Sequence, residues 1–268
     1  MHNTIILTVH NKEKTIIRIL EKLIKNTSKN SVKLIIILDG CTDRTANKIK
    51  KFFELNKTMV EVEIISTDDI WETRANNIGL KKVKTEFATI VQDDMLILQK
   101  NWDKKLLKNF CKYEIFAVSG RAAHNFSFNK NNFEIIDIFG REYPFSNNNI
   151  FGRIIGKLTA ILKPYWLYKY LNFFALRLVV NRGPLMLEMS KLKQLNFFDE
   201  EFAPFELDDV DLCCRAYKEF GLYSAANPIF YIELNGSKKN NPISEKMSQK
   251  SIIKNTKILI NRHNDLAC

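Results

Sequence analysis

The chain has 268 residues, 46% apolar and 26% charged, ordinary for a globular protein and enough for one large α/β domain or two lobes sharing a sheet. Lys and Arg number 41 against 30 acids, and the net charge of +11 favours nucleotides, nucleic acid or acidic lipid as partners, unless the lysines merely solvate the surface. The five cysteines are odd in number and form no Cys-x-x-Cys pair, which argues against a disulfide framework or a zinc ribbon and suits a reducing compartment.

The N-terminus runs directly into Thr4-Ile5-Ile6-Leu7-Thr8-Val9, a first strand over 4–9 rather than a signal peptide, with His10-Asn11 as its turn. Ile16, Ile17, Leu20, Leu23 and Ile24 recur at helical spacing over 13–26. Asn30-Ser31 breaks the pattern, a strand follows over 33–38, and Thr42-Asp43 caps a helix reaching about residue 55. Residues 60–66 alternate as a half-buried strand, 73–83 form a helix and 86–91 another strand. This β-α-β-α-β-α-β order predicts right-handed crossovers and a doubly wound sheet over residues 1–100.

Beyond residue 100 the pattern is less regular. Residues 115–119 read as a strand, 122–149 as loops with short strands, and 184–187 as a further buried strand. Asp208 to Phe220 reads as a helix ended by Gly221, and Ile252, Ile253, Ile258, Leu259 and Ile260 mark a terminal helix. Residues 150–180 hold five basic residues, no acid and many apolar side chains, which fits a membrane-interface segment or a helical hairpin packed on the core. No run of about 18 uncharged apolar residues occurs, so no spanning helix is expected. The expected location is the cytoplasm, with peripheral attachment to the inner membrane face as an extension of that reading.

Three groups of acids fall at the ends of these elements. The run Leu34 to Leu38 ends in Asp39-Gly40, and Phe87 to Val91 ends in Gln92-Asp93-Asp94. Asp208, Asp209 and Asp211 open the helix near residue 210. Parallel sheets place ligands at the carboxyl ends of their strands, and carboxylates gathered there repel unless a cation or polar ligand joins them. Asp93-Asp94 suits Mg2+ or Mn2+ with a phosphate-bearing substrate. Asp39 can accept from a base or ribose, or serve only as a strand-to-helix turn. Arg74 can grip phosphate oxygens or pair with Glu72 or Asp69. In Asp208-Asp209-Val210-Asp211, acids favoured by the helix dipole lie beside Phe205 and Leu207, where a carboxylate can be tuned as a general base. Asp211 can cap, or pair with Arg215.

Together these residues resemble the family 2 inverting glycosyltransferases with the nucleotide-sugar (GT-A) fold. Thr8-Val9-His10-Asn11 is similar to that family's first strand and turn, and Leu38-Asp39-Gly40-Cys41-Thr42-Asp43-Arg44-Thr45 to its Asp-Asp-Gly-Ser-Thr-Asp-Gly-Thr segment. Arg74-Ala75-Asn76-Asn77-Ile78-Gly79 resembles its Ala-Arg-Asn-x-Gly helix, and Gln92-Asp93-Asp94 its Asp-x-Asp. Phe197 to Phe202 is similar to its Gly-Phe-Asp-Glu stretch, and Asp208-Asp209-Val210-Asp211-Leu212-x-x-Arg215 to its Glu-Asp-x-Asp-Leu-x-x-Arg.

The resemblance implies an α/β, doubly wound and mostly parallel sheet with a fused acceptor-side lobe and a helical basic segment. Residues 1–120 would bind the nucleotide-sugar, 121–235 the acceptor and the base, and 236–268 would form a basic tail. Thr8, Val9, Asn11, Asp39, Arg74 and Asp93 would hold the donor, and Asp94 with Glu233 a Mn2+ or Mg2+ ion. Asp209 or Asp208 would deprotonate the acceptor hydroxyl, inverting the anomeric centre in one displacement. Gln92 replaces a frequent Asp, Asp208 replaces the usual Glu, and no His stands near Glu233. The expected activity is hexosyl or N-acetylhexosaminyl transfer to a glycan or lipid-linked acceptor in surface polysaccharide synthesis, with no nucleic-acid partner. A sugar nucleotidyltransferase and a non-catalytic nucleotide- or glycan-binding subunit are the alternatives. The first lacks its glycine-rich loop after residue 9, and Asp94 with Asp209 argues against the second.

Overall fold

A computed structural model describes residues 1–58, 60–124, 126, 134–136, 142–144, 174–234 and 242–266, with backbone alone at 124, 134–136, 142–144 and 242–245. Most of the basic apolar stretch expected over 150–180 lies outside the described residues. Among the described residues no helix is long and apolar enough to cross a membrane.

The first half follows the expected order. Strand β1 spans Asn3–Val9, α1 Ile16–Asn26, β2 Ser31–Asp39, α2 Thr45–Leu55, β3 Glu61–Thr67, α3 Glu72–Lys81 and β4 Phe87–Gln92. Helix α1 starts later than its apolar spacing suggested, because Thr15 and Ile16 first turn back to the carbonyl of Lys12. Asp43 does serve the start of α2, its carboxylate accepting the N–H of Thr45 at 2.9 Å. The next elements are β5 (Met95–Ile97), α4 (Trp102–Phe110), β6 (Ala117–Ser119), β7 (Ala123–His124), β8 (Glu134–Ile136) and β9 (Glu142–Pro144). Then come β10 (Ala175–Arg177), β11 (Val179–Val180), β12 (Leu185–Glu188), α5 (Met189–Gln194), α6 (Asp208–Phe220), β13 (Ser224–Ala226), β14 (Tyr231–Glu233) and α7 (Pro242–His263). Gly221, at φ +68°, closes α6 by returning its N–H to Tyr217.

Eight strands form one sheet in the order β10-β13-β6-β12-β4-β1-β2-β3. Strands β4, β1, β2 and β3 run parallel, β12 enters antiparallel between β4 and β6, and β13 is parallel to β6. The sheet is therefore mostly parallel and includes strands from both sides of residue 120. Its two faces alternate along β1: Leu7 and Val9 join Ile16, Leu20 and Trp102 on one side, while Ile6 joins Ala75, Leu80 and Leu212 on the other. Helices α1, α2 and α4 thus cover one face and α3, α5 and α6 the other. Gly79 lets α3 lie close, since a Cβ there would come within 2.7 Å of Ile6 Cγ2.

The terminal helix forms with Leu259 buried and Ile258 packed against the core, whereas Ile252, Ile253 and Ile260 are exposed. Ser251, Asn255 and His263 complete the inward stripe, and polar contacts add to its docking. Asp211 of α6, fully buried, accepts from Arg215 at 2.7 Å and lies 2.9 Å from His263 Nε2. Burial alone would raise the Asp211 pKa, yet His263 and Arg215 hold it below the ordinary value.

Asp211→Asn should cost about 3 kcal/mol at pH 7, because it leaves the facing cations without their anion. A depressed carboxylate stabilises the fold above its unfolded pKa and ceases to as pH falls through the folded one. The gap between wild type and variant in urea unfolding should therefore shrink below about pH 4.

Candidate active site

The strand order reverses between β1 and β4, since β2 and β3 lie on one side of β1 and β4 on the other. A crevice opens at the carboxyl ends on either side of such a reversal. The residues that reach it come from the turns after β1, β2, β3 and β4, the segment 181–184 leading into antiparallel β12, the start of α6 and the end of β14.

Asp93, just past β4, is fixed by the turn after β1. Its Oδ2 accepts the His10 N–H at 2.9 Å, and Oδ1 lies 3.4 Å from the buried Lys12 ammonium. Burial pushes the Asp93 carboxyl up to about 6, with Lys12 opposing and Asp94 and Glu72 adding to the rise. Asp94 differs. No other described residue donates to its carboxylate, while its backbone carbonyl accepts the Leu234 N–H at 2.7 Å. Burial raises its pKa too, and both Glu233 and Glu72 reinforce this.

Glu233 sits near Asp94 because β14 pairs with β5 and places it opposite Met95. It also meets Arg121 at 3.2 Å. Glu233 and Glu72 are near enough for their charges to act on Asp94, and carboxylate oxygens are the donors a hard divalent cation takes, but Glu72 is paired with Arg182 and Glu233 with Arg121. Gln92, where an acid was looked for, instead donates to Glu72 at 3.2 Å.

The other expected donor residues are largely engaged with the protein. Both Asp39 oxygens are taken, by the Thr67 hydroxyl and the Ile70 and Trp71 N–H groups at 2.9–3.0 Å, so Asp39 pins the loop after β3. Gly40, at φ +54°, allows the approach, since a Cβ would lie 2.6 Å from Asp69 Cβ. Asn11 accepts from the Thr42 and Asp43 N–H groups and ties the turn after β1 to that after β2. Thr8 donates to Asn76 at 2.8 Å, and the Val9 side chain is buried. Arg74 is half exposed, and its guanidinium lies 3.6 Å from Glu200, a partner not considered from sequence. His10, Asp39 and Asp69 hold ligating atoms within 4.8 Å of one another, and the Asp39 carboxylate there already accepts three hydrogen bonds from the protein.

The two candidate bases separate by environment. Asp208 is fully buried, bound by the Arg182 guanidinium and the Thr73 hydroxyl at 2.8 Å. Asp209 is partly exposed and accepts the N–H groups of Arg182 and Val210 at 2.8 and 2.9 Å. Burial raises the Asp209 pKa, Arg182 opposes it, and Glu72 adds to it. Arg182 is the residue that sequence reading missed. Buried, it spans Glu72 at 2.9 Å and Asp208, with its guanidinium 5.2 Å from the Phe198 ring centroid. Asn181-Arg182-Gly183-Pro184, turn residues before an apolar run, was the available signal. Gly183 there has φ +120°, and a Cβ would meet Met95 Cε at 2.5 Å.

A sequence-family model described as glycosyl transferase family 2 matches residues 4–169. Glycosyltransferase GlyA of Streptococcus pneumoniae serotype 4 is 26% identical over 127 residues, covering 47% of this chain but 17% of GlyA. The mannosyltransferase PcManGT of Pyrobaculum calidifontis, solved with GDP-Man and Mn2+, superposes with a TM-score of 0.61 at 12% identity, over 92% of this chain and 60% of that one. Residues 1–349 of S. aureus TarS, solved with UDP, give 0.55 at 16% identity, over 95% and 65%. These chains share the GT-A architecture. The present chain spans under two thirds of each.

Arg182→Met should lower stability in urea unfolding by about 3–5 kcal/mol, because Asp208 then stays buried without a counter-charge. Arg182→Lys should lose part of this, since one ammonium cannot span both acids as the planar fork does.

Proposed function

The chain belongs to glycosyl transferase family 2, and we propose that it moves a sugar from a nucleoside-diphosphate donor to an acceptor hydroxyl, with inversion. One observation carries this reading. Asp94, which accepts from no other described residue, and Asp209, partly exposed with a raised pKa, lie on elements meeting at the switch point, whereas Asp208 is sealed beneath them. A carboxylate that gains its proton more readily than usual is suited to take one from a hydroxyl.

In this mechanism residues 1–120 bind the donor. The lip formed by Thr8, Val9, Asn11 and the loop pinned by Asp39 receives the base, with Asp93 toward the ribose. Arg74 exchanges Glu200 for a phosphate oxygen. Asp94 would hold a Mn2+ or Mg2+ ion, with Glu233 as a second candidate ligand, and such an ion would supply positive charge against that developing on the departing diphosphate. Arg182 pairs with Asp208 and, through its backbone N–H, orients the Asp209 carboxylate. Asp209 takes the acceptor proton as the hydroxyl oxygen attacks the anomeric carbon from the face opposite the leaving group. The attacking C–O bond forms as the sugar–phosphate bond breaks, which inverts the centre.

Residues 121–235 supply the acceptor side and 236–268 a basic tail. The acceptor is a glycan or lipid-linked hydroxyl of surface polysaccharide synthesis, reached from the cytoplasm at the inner membrane face. The transferred unit is a hexosyl or N-acetylhexosaminyl group.

Calorimetry with UDP-, GDP-, CMP- and dTDP-sugars, with and without Mn2+, tests the donor half. One nucleotide class should bind in a metal-dependent way to wild type and not to Asp94→Ala. Absence of binding by every donor to folded protein would sink the reading.

Asp209→Asn should keep donor affinity and lose about 10²- to 10⁴-fold in transfer rate. Because the base must be ionised, wild-type kcat should fall with acid along a limb lying above the ordinary aspartate range.

A further inference from the structure

Helix α7 reaches the site from behind. Three of the four residues on its buried stripe are polar, and Asn255 makes the most specific contacts. Its amide nitrogen lies 2.9, 3.1 and 2.7 Å from the carbonyl oxygens of Phe202, Phe205 and Glu206. Two hydrogens serve three acceptors, so one is shared. Lys254 reaches the carbonyls of Glu201 and Ala203, and the Ser248 hydroxyl donates to the Glu206 carboxylate at 2.8 Å. One stretch of helix therefore grips one segment, 201–206.

That segment leads straight into Asp208 and Asp209 through an unusual backbone. Glu206 has φ +79° and Leu207 φ +66°, both in the left-handed region that side chains disfavour. Two such residues in succession persist only where the surroundings over-determine them. From the opposite side, Thr73 at the start of α3 donates its N–H to the Pro204 carbonyl at 3.2 Å, while its hydroxyl proton goes to Asp208 at 2.8 Å. The segment is thus held between α3, on the donor side, and α7. Asn255 also brings a cost, since its buried Oδ1 meets no donor among the described residues. An apolar side chain would avoid that cost but could not bind the carbonyls.

We propose that Asn255 is a positioning residue for the base: its amide fixes the 202–206 turn and so sets where Asp209 stands against the acceptor. The proposal rests on the assignment of Asp209 above. Asn255 touches no substrate, and its influence passes through the backbone of Glu206 and Leu207.

The test uses the full-length chain and the nucleoside-diphosphate sugar that binds wild type. The readout is nucleoside diphosphate release, with water as the acceptor where no better one is found. Asn255→Ala should bind the donor within about twofold of wild type while kcat falls at least about tenfold, as expected of a displaced catalytic group. The acid limb of its pH profile should move down, because a loosened Asp209 is better solvated. Unchanged kcat in folded Asn255→Ala, or an equal loss of donor binding and turnover, would overturn the proposal.

Ser248→Ala removes only the contact to Glu206 and is the second variant if Asn255→Ala does not fold. Its kcat should drop about threefold at constant donor affinity, and no change would overturn the proposal. An active wild type with indifferent variants fells the positioning role alone. A wild type that turns over no donor fells the glycosyltransfer reading and this one with it.

Discussion

A single guanidinium joins the two halves of this molecule. Arg182 projects from the segment before β12, reaches Glu72 at the start of α3 and meets Asp208 at the start of α6. These three stations belong to a strand approach and two helix N-termini far apart in sequence. None of the three charges is stable alone in so dry a place, since a buried ion without a partner costs several kcal/mol (about 3–5 when one member of a pair is removed). The pairing therefore dictates how α3, β12 and α6 approach one another, and the partly exposed Asp209 inherits its position from that arrangement.

The rest of the edge follows from charge in excess of this pairing. Lys12 lies against Asp93, Arg121 meets Glu233 and Arg74 meets Glu200, yet Asp94 keeps no protein donor among the described residues. Burial raises the pKa of Asp93 and Asp94, and neighbouring acids add to the rise against the opposing Lys12. Such a rim is held in tension by the protein and eased by a cation or a cation-bearing ligand. The sheet puts it there, because the reversal of strand order around β1 leaves a gap that neither neighbouring crossover covers.

The first four strands and three helices were legible because local signals agreed with each other: β-branched runs, helical spacing and turn residues each pointed to the same elements. The acids were legible for a related reason, since strand ends are easy to locate and carboxylates there stand out. What the sequence hid was whether each acid had a partner. Asp39 reads as an open ligand group, whereas the Thr67 hydroxyl and the N–H groups of Ile70 and Trp71, which lie across a crossover, donate to it. Asp208 and Asp209 are neighbours with the same chemistry, and only packing tells them apart. Arg182 escaped because a lone arginine beside a glycine and a proline has no periodicity. In α7 the apolar residues announced the helix, and Leu259 and Ile258 do meet the core, but the amide and imidazole that complete its docking carry no such signal.

The position of α7 in the chain also orders events during synthesis. The parallel strands β1 to β4 lie within the first hundred residues. Arg182 and Asp208 emerge later, and only then can Arg182 meet Glu72. The carbonyls of Phe202, Phe205 and Glu206 must wait for Asn255, and Asp211 for His263, so the loop bearing Asp209 is secured last. On the function proposed above, a ribosome-bound intermediate would bind a nucleotide-sugar before it was equipped to discharge it, and competence would arrive with α7.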